Sequence, residues 1–415
     1  MPKYSFFCRL SLLGILLTML GCAMKRAQTY DFPEPIDTSS RPIVLQEKKI
    51  YSFSELGVYA DNRFAGARLN GMIALNDTLL QATVAPENTP INHSAFYAFR
   101  IWADSARALT VELDYVDQFH RYWPKLSHDG FYWRPMDSSR FEMAADSSWA
   151  RLQLTVGPDT LYVSGQELLT SNDVWTWCSL QAIHPAVQLT SAGKSAEGRE
   201  LPRLEINEGD PIGKDLVVVL SRQHPPEVTG YLAMQAFVHE LLADNELSNA
   251  FRKRYRVLVY PILNPDGVDL GHWRHNTGGV DLNRDWAYYR QPEIRQVAND
   301  IVHFRRKGRN RVVLGLDFHS TWHDMFYTPD ETAPSVIDGF KEKWLAGIEA
   351  SLKDYAIREE PGPVKQPTSS GWFITQFDAE GITFEIGDDT PRTLVRRKGQ
   401  VGAIEMMKAL MGVER

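Results

Sequence analysis

The stretch Val217-Val218-Val219-Leu220-Ser221-Arg222-Gln223-His224-Pro225-Pro226-Glu227-Val228-Thr229-Gly230 decides how the chain is read. A short apolar run, the length of a strand buried on both faces, stops abruptly. Two prolines follow, which can neither continue a ladder nor sit inside a helix, so they mark a turn. A helical pattern then begins, with Leu232, Met234, Phe237, Val238, Leu241 and Leu242 as its apolar stripe. His224 and Glu227 therefore fall at the C-terminal edge of a sheet, where open α/β sheets place their ligands. Imidazole plus carboxylate is a common zinc-ligand pair, but a turn on its own could hold both residues by accident.

Downstream, the same arrangement recurs. Residues 216–220, 257–262, 312–316 and 382–386 read as buried strands, and residues 229–242, 292–305, 334–351 and 401–411 as helices. Strands alternating with helices predict a mainly parallel sheet covered on both faces over 186–415. Asn264-Pro265-Asp266-Gly267 follows the second strand as a turn, Asp317-Phe318-His319-Ser320 follows the third, and Glu385 lies in the fourth. His224, Glu227 and His319 would meet at one sheet edge, and three ligands with an open fourth position characterise a catalytic zinc. His323, four residues after His319, could form a helical pair with it, but it follows the strand end too closely. His272, His275, His303 and His323 are read as surface or rim residues.

The preceding region, 50–185, has a different rhythm. Runs at 78–84, 95–102, 109–115, 149–156 and 159–163 are short, several alternate apolar with polar residues, and turns such as Gly157-Pro158-Asp159 separate them. That pattern predicts an all-β sandwich. Its aromatic residues, among them Tyr122, Trp123, Phe131, Tyr132, Trp133, Trp149, Trp175 and Trp177, are expected in the core or at an interface more than on a stacking surface.

Residues 23–49 are polar, proline-bearing and aperiodic, and read as a flexible tether. Before them, Lys3, Arg9 and an apolar run from 10 to 20 read as an export signal too short to span a bilayer comfortably. Met19-Leu20-Gly21-Cys22 resembles a bacterial lipobox, which implies a signal peptide at 1–22, lipidation of Cys22, and a protein anchored to a membrane and facing the periplasm or cell exterior. Of three cysteines, Cys8 leaves with the signal and Cys22 carries lipid, so Cys178 has no intrachain partner and is expected as a small buried residue. The 415 residues are 43% hydrophobic and 23% charged with a net charge of −7, as suits a globular chain with a large core. No basic stripe stands out, so nucleic acid is not expected as a partner. Arg305-Arg306-Lys307 reads as a helix C-terminus.

Six segments in order resemble the zinc carboxypeptidase family, typified by carboxypeptidase A, and most closely its cytosolic carboxypeptidase-like branch with a β-sandwich before the catalytic domain. They are Gly193-Lys194-Ser195-Ala196-Glu197-Gly198-Arg199, His224-Pro225-Pro226-Glu227, Asn264-Pro265-Asp266-Gly267, Gly279-Val280-Asp281-Leu282-Asn283-Arg284-Asp285-Trp286, Asp317-Phe318-His319-Ser320 and Thr383-Phe384-Glu385. The resemblance covers about 190–390. It implies one zinc on His224, Glu227 and His319, with Asp281 orienting a ligand histidine from behind. It implies Asn283 and Arg284 as holders of a substrate's terminal carboxylate, for which a guanidinium fork is suited. Arg274 would stabilise the oxyanion, and Glu385 would be the general base for the water that zinc activates.

The partner implied is a peptide with a free C-terminal carboxylate. The exported location leaves peptidoglycan stem peptides or another small amide as a second substrate class, and an inactive glycan- or peptide-binding lipoprotein as a third reading. Two departures stand out: Pro226 occupies a position where the family often has Arg or Gly, and residues 364–371 lack the mobile tyrosine of carboxypeptidase A-like members. The loop 361–378 is expected to line the specificity pocket, with Trp372, Phe373, Ile374 and Phe377 either there or in the core.

Overall fold

The structure, a computed structural model, describes residues 27–329 and 337–412. The expected signal segment and Cys22 lie outside the described residues. Among these residues no helix is long and apolar enough to cross a membrane.

The N-terminal part folds as two facing β-sheets, as the alternation predicts. One holds β1 (Ile50–Phe53), β2 (Val58–Asp61), β5 (Ala98–Ala103), β11 (Leu161–Ser164), β7 (Lys125–Ser127) and β8 (Arg134–Pro135), in that order. The other runs β3 (Gly71–Ala74), β4 (Leu79–Val84), β6 (Arg107–Tyr115), β10 (Trp149–Val156) and β9 (Phe141–Met143). In β4 every second residue is buried, and in β6 the same alternation turns Leu109, Val111, Leu113 and Tyr115 into the space between the sheets. Tyr122 is buried there too, but Phe131 and Tyr132 are 80% and 81% exposed on the loop between β7 and β8.

The C-terminal part is a mixed sheet of eight strands in the order β12 (Val187–Lys194), β13 (Glu200–Ile206), β15 (Tyr255–Tyr260), β14 (Asp215–Ser221), β16 (Val312–Thr321), β19 (Glu380–Gly387), β17 (Met325–Thr328) and β18 (Glu359–Pro361). The four central strands, β15, β14, β16 and β19, are parallel to one another, and β13 and β17 flank them antiparallel. All of β14 and β15 is buried. Val217 and Val219 join the core under helix Val228–Leu241, while Leu216, Val218 and Leu220 join the core under helix Pro292–Lys307. This is why the run carries no polar alternation. The latter helix ends in Arg305, Arg306 and Lys307, as expected.

Several boundaries differ from expectation. Helix Ser171–Gln181 begins with a reciprocal cap between Thr170 and Asp173, and its Val174 and Cys178 belong to the C-terminal core. The junction between the two parts therefore falls between Ser164 and Ser171 rather than at 185. Cys178 is fully buried, and burial pushes its thiol up to about 12. Residues 27–49 have no regular structure, yet they are bound along their length rather than loose: Phe32 and Thr38 are buried, Tyr289 Oη donates to Gln28 O (2.5 Å), and Thr38 Oγ1 donates to Asp285 Oδ1 (2.5 Å). Residues 369–377 form a helix capped by Thr368, and its Trp372 and Phe373 pack on Trp286 in the core. Of the expected pocket loop, Pro361, Pro363, Thr368 and Ser370 face the cleft.

Candidate metal centre and cleft

β14 ends at Ser221, and Arg222 takes a left-handed conformation (φ 54°) that turns the chain sharply. Its buried guanidinium donates to Pro225 O at 2.7 Å, bracing the turn from inside. Glu227 is the N-cap of the helix that follows but makes no capping bond with its side chain, because that carboxylate is held elsewhere. Glu227 Oε1 lies 2.7 Å from His224 Nδ1, and Oε2 lies 2.6 Å from His319 Nδ1. The three side chains are buried, and their candidate ligand atoms lie within 4.8 Å of one another.

His319 arrives by a longer strand than expected. β16 continues through Thr321, so His319 is a strand residue, paired in register with Glu385 on β19. Gly230 lets the helix approach: a Cβ there would sit 2.3 Å from His319 O. Gly230 N donates to Ser320 Oγ (2.9 Å) and Thr229 Oγ1 to Ile386 O (3.1 Å), tying the helix start to both strand ends.

The outer face of each imidazole is occupied by a carboxylate. His224 Nε2 lies 2.9 Å from Asp281 Oδ1, and His319 Nε2 lies 2.9 Å from Asp317 Oδ2. Asp317 Oδ2 also accepts from Gln223 Nε2 and Ser369 Oγ, both at 2.5 Å. A neutral imidazole that donates from Nε2 presents a bare lone pair at Nδ1. Two such lone pairs facing one carboxylate are mutually repulsive unless a cation lies among them, and a nitrogen, nitrogen, oxygen set suits zinc. With no cation present, a proton takes its place. Burial alone would raise the Glu227 carboxyl, but the two histidines hold it well below the usual range. Burial would lower His319, but Asp317 and Glu227 hold it well above its ordinary value.

Around this centre lies a cleft of about 680 Å³. Arg274 lines it, its Nε and Nη2 donating to Asp281 Oδ2 at 2.9 and 2.7 Å. Burial would raise Asp281, yet Arg274 and His224 hold it well below the ordinary range. Asn283 N donates to Asp281 Oδ1 (2.9 Å), its Oδ1 accepts from Ser369 N (2.8 Å), and its Nδ2 lies 3.4 Å from His319 Nε2. Arg284 is partly exposed to the cleft, with Nη1 on Asn283 O at 2.8 Å. Glu385 completes the set, its Oε2 shielded from solvent and without a hydrogen-bond partner. Burial pushes its carboxyl up to about 8, with His319 opposing and Glu227 adding to the rise.

The structure thus gathers His224, Glu227, His319, Asp281, Arg274, Asn283, Arg284 and Glu385 around one space. Two expectations about other histidines fail. His272 and His275 are buried rather than on the rim, because a carboxylate from the sandwich draws this loop inward. Sequence reasoning gave no role to Asp317, although it stands two residues before His319 on the same strand, the spacing that points both side chains to one face. Nor did it find Arg121, which reaches from the sandwich into the cleft wall and donates to Asp388 Oδ2 (2.9 Å) and Ser320 O (3.2 Å). Tyr327 on β17 also lines the cleft. No local pattern announces either residue.

Comparison with known proteins places these features. Residues 176–359 match the zinc carboxypeptidase family model. Cytosolic carboxypeptidase 6 of Caenorhabditis elegans is 28% identical over 155 residues, which are 35% of this chain and 33% of that protein. An uncharacterized protein of Zymomonas mobilis is 31% identical over 218 residues, 48% of this chain and 54% of that one. The chain thus spans about a third to a half of the length of these curated relatives. A crystallised metallo-carboxypeptidase of Burkholderia cenocepacia shares the fold with a TM-score of 0.73 at 14% identity, over 86% of this chain and all of that one. The family match spans the segment that delivers all three metal ligands, so it is this part of the chain that is similar to the zinc carboxypeptidase family.

Proposed function

We propose that the protein is a zinc carboxypeptidase that releases residues from the free C-terminus of peptides. The observation that carries this reading is the convergence of Glu385, Arg274 and Arg284 on the cleft that holds His224, Glu227 and His319. When bound to those three residues, zinc supplies Lewis-acid polarisation of a carbonyl and acidifies water.

The remaining work belongs to the chain. Arg284 presents a planar fork of donors to the cleft, suited to a terminal carboxylate, and Asn283 beside it fixes the approach. Arg274, locked in orientation by two bonds to Asp281, supplies positive charge where the carbonyl oxygen gains negative charge. Glu385 takes a proton from the attacking water as the carbon–oxygen bond forms. It returns that proton to the amine nitrogen as the carbon–nitrogen bond breaks.

Purified protein should contain about one zinc per chain by elemental analysis. Arg284→Ala should lower kcat/KM on a peptide with a free carboxylate by roughly 10–100-fold, as loss of charged hydrogen bonds implies. The same peptide capped as a C-terminal amide should be a poor substrate for both proteins. Equal turnover of the capped peptide would replace this reading with that of an amidase acting on stem peptides or other small amides. We also propose export and lipidation at Cys22, supported by the apolar run and Met19-Leu20-Gly21-Cys22. Labelled palmitate should enter the wild-type protein and not Cys22→Ala.

A further inference from the structure

We propose that Glu87, a residue of the sandwich, is a positioning residue for the cleft: its carboxylate holds the backbone of the loop that aims Arg274. The proposal rests on the reading of Arg274 given above. Glu87 follows β4 and is fully buried. Its Oε2 accepts from Trp273 N at 2.8 Å, and its Oε1 accepts from Arg274 N at 3.0 Å and His275 N at 2.6 Å. Three successive amides thus converge on one carboxylate, an anion-binding nest whose anion comes from the other half of the molecule. The flanking amides of His272 and Asn276 go to the nearby carbonyls of Gly267 and Val280, but these three find no backbone acceptor. Buried N–H groups without an acceptor are rarely tolerated, so this loop conformation depends on Glu87.

The loop is fastened at further points. Trp273 is buried in the sandwich core, its Nε1 donating to Phe96 O at 2.8 Å. Asn88 Nδ2 donates to Gly279 O at 3.0 Å, and Asn88 Oδ1 lies 2.5 Å from His275 Nδ1. Between these anchors the Arg274 side chain leaves in the opposite direction, to Asp281 and the cleft. Asp281 in turn contacts His224. Burial would raise the Glu87 carboxyl, but His272, Arg68 and His275 outweigh it and keep the group below its ordinary value. The carboxylate is therefore a charged, doubly accepting clamp, which a neutral amide of the same shape cannot replace.

A double-mutant cycle tests this on the full-length zinc-loaded protein, using a peptide with a free C-terminus. Misplacing a reacting group by about 1 Å can cost on the order of 100-fold, so Glu87→Gln should lower kcat by roughly 10–100-fold with KM changed about 2-fold at most. In an Arg274→Ala background the same substitution should cost no more than about 2-fold, because its effect runs through Arg274. Amide hydrogen exchange at Trp273, Arg274 and His275 should quicken in Glu87→Gln.

Multiplicative losses in the double variant would overturn the proposal, showing that Glu87 only binds the two parts together. A full rate in Glu87→Gln together with a loss in Arg274→Ala would overturn positioning while leaving the role of Arg274 intact. A full rate in Arg274→Ala would overturn that role and the proposal with it. If Glu87→Gln does not fold, the half-buried Asn88→Ala takes its place in the same cycle. A smaller kcat loss that vanishes without Arg274 supports the proposal, and a full rate overturns it.

Discussion

The two halves of the molecule bury polar groups for different ends. In the catalytic half, buried charge collects at the C-terminal edge of the parallel strands, where His224, Glu227, Asp317 and His319 contact one another within a few ångströms. In the sandwich the space between the sheets is mainly apolar, and two of its buried charges reach across the junction, Glu87 to the 273–275 loop and Arg121 to Asp388. Topology accounts for the contrast. Parallel strands joined by helical crossovers bring every strand end to the same edge, so chemistry gathers there. Antiparallel strands alternate direction, so no edge collects their ends. The sandwich can therefore serve the cleft only across the interface.

The contrast predicts two kinds of damage. Glu385→Gln should lower kcat by about 10²–10⁴-fold, the range for loss of a general acid–base, while the melting curve and zinc content stay unchanged. Phe99→Ala, in the sandwich core, should do the reverse: about 3–5 kcal/mol of stability lost, with kcat of the folded fraction preserved. A large kcat loss in folded Phe99→Ala would mean that the whole sandwich interior, and not only its interface residues, sets the cleft geometry. Urea titrations alongside steady-state rates decide between these.

Between these extremes lies a residue that couples packing to chemistry. In Gly230→Ala the new methyl would meet His319 O at 2.3 Å, and backbone cannot swing away as a side-chain tip can. Overpacking of this kind costs about 1–3 kcal/mol. Here it should also weaken metal retention, because the displaced backbone carries a ligand. Zinc content after dialysis against a weak chelator measures it.

Much of the catalytic half was legible because burial on both faces removes alternation. The runs at 216–220 and 257–262 read as strands, and the residues that end them fell where strand ends converge. Where the apolar pattern is short or mixed, the sequence is harder to read. Trp175, Trp177 and Cys178 sat next to a β-rich region, and the cap formed by Thr170 and Asp173 was the one local signal of a helix there. Residues 27–49 had no periodicity to read, since their burial depends on single side chains such as Phe32 and Thr38 meeting a surface already formed. Glu87 and Arg121 were invisible for the same reason. Their partners across the junction lie 186–188 and 199–267 residues away, and no local pattern encodes such pairs.

Two buried groups, one in each half, should also respond to acid with opposite sign. In the sandwich, burial, aided by the charge of Lys125, lowers His120 from 6.5 to about 4, and Tyr115 Oη lies 2.7 Å from its Nδ1. The unfolded chain takes up this proton near pH 6.5 and the folded chain resists until about pH 4, so stability falls as pH drops through that window. In the catalytic half, burial raises Asp285 from 3.8 to about 6 against the bonds from Thr38, Gln291 and Arg290. There the folded chain keeps a proton the unfolded chain has released, so that contribution is lost as pH rises from 3.8 to about 6. Each is worth on the order of 3 kcal/mol. Thermal melts from pH 4 to 7 should lose the acid-side slope in His120→Asn, and become steeper in Asp285→Asn as the opposing group is removed.

The smallest effect is expected at the tip of the sandwich. Phe131 and Tyr132 are the most exposed aromatic residues among those described, yet their loop is held by its backbone. Asp129 Oδ1 accepts from Phe131 N and Tyr132 N, both at 2.8 Å, and Ser127 Oγ accepts from Gly130 N at 2.9 Å. None of these bonds involves a ring. Phe131→Ser should therefore shift stability by no more than about 0.5 kcal/mol and leave kcat unchanged, since surface substitutions away from packed or bonded features have little effect. A full rate in this variant beside a reduced one in Glu87→Gln would confine the sandwich's service to its interface. Loss of rate on long peptides alone, with short ones unaffected, would instead extend the substrate's path from the cleft to these two rings.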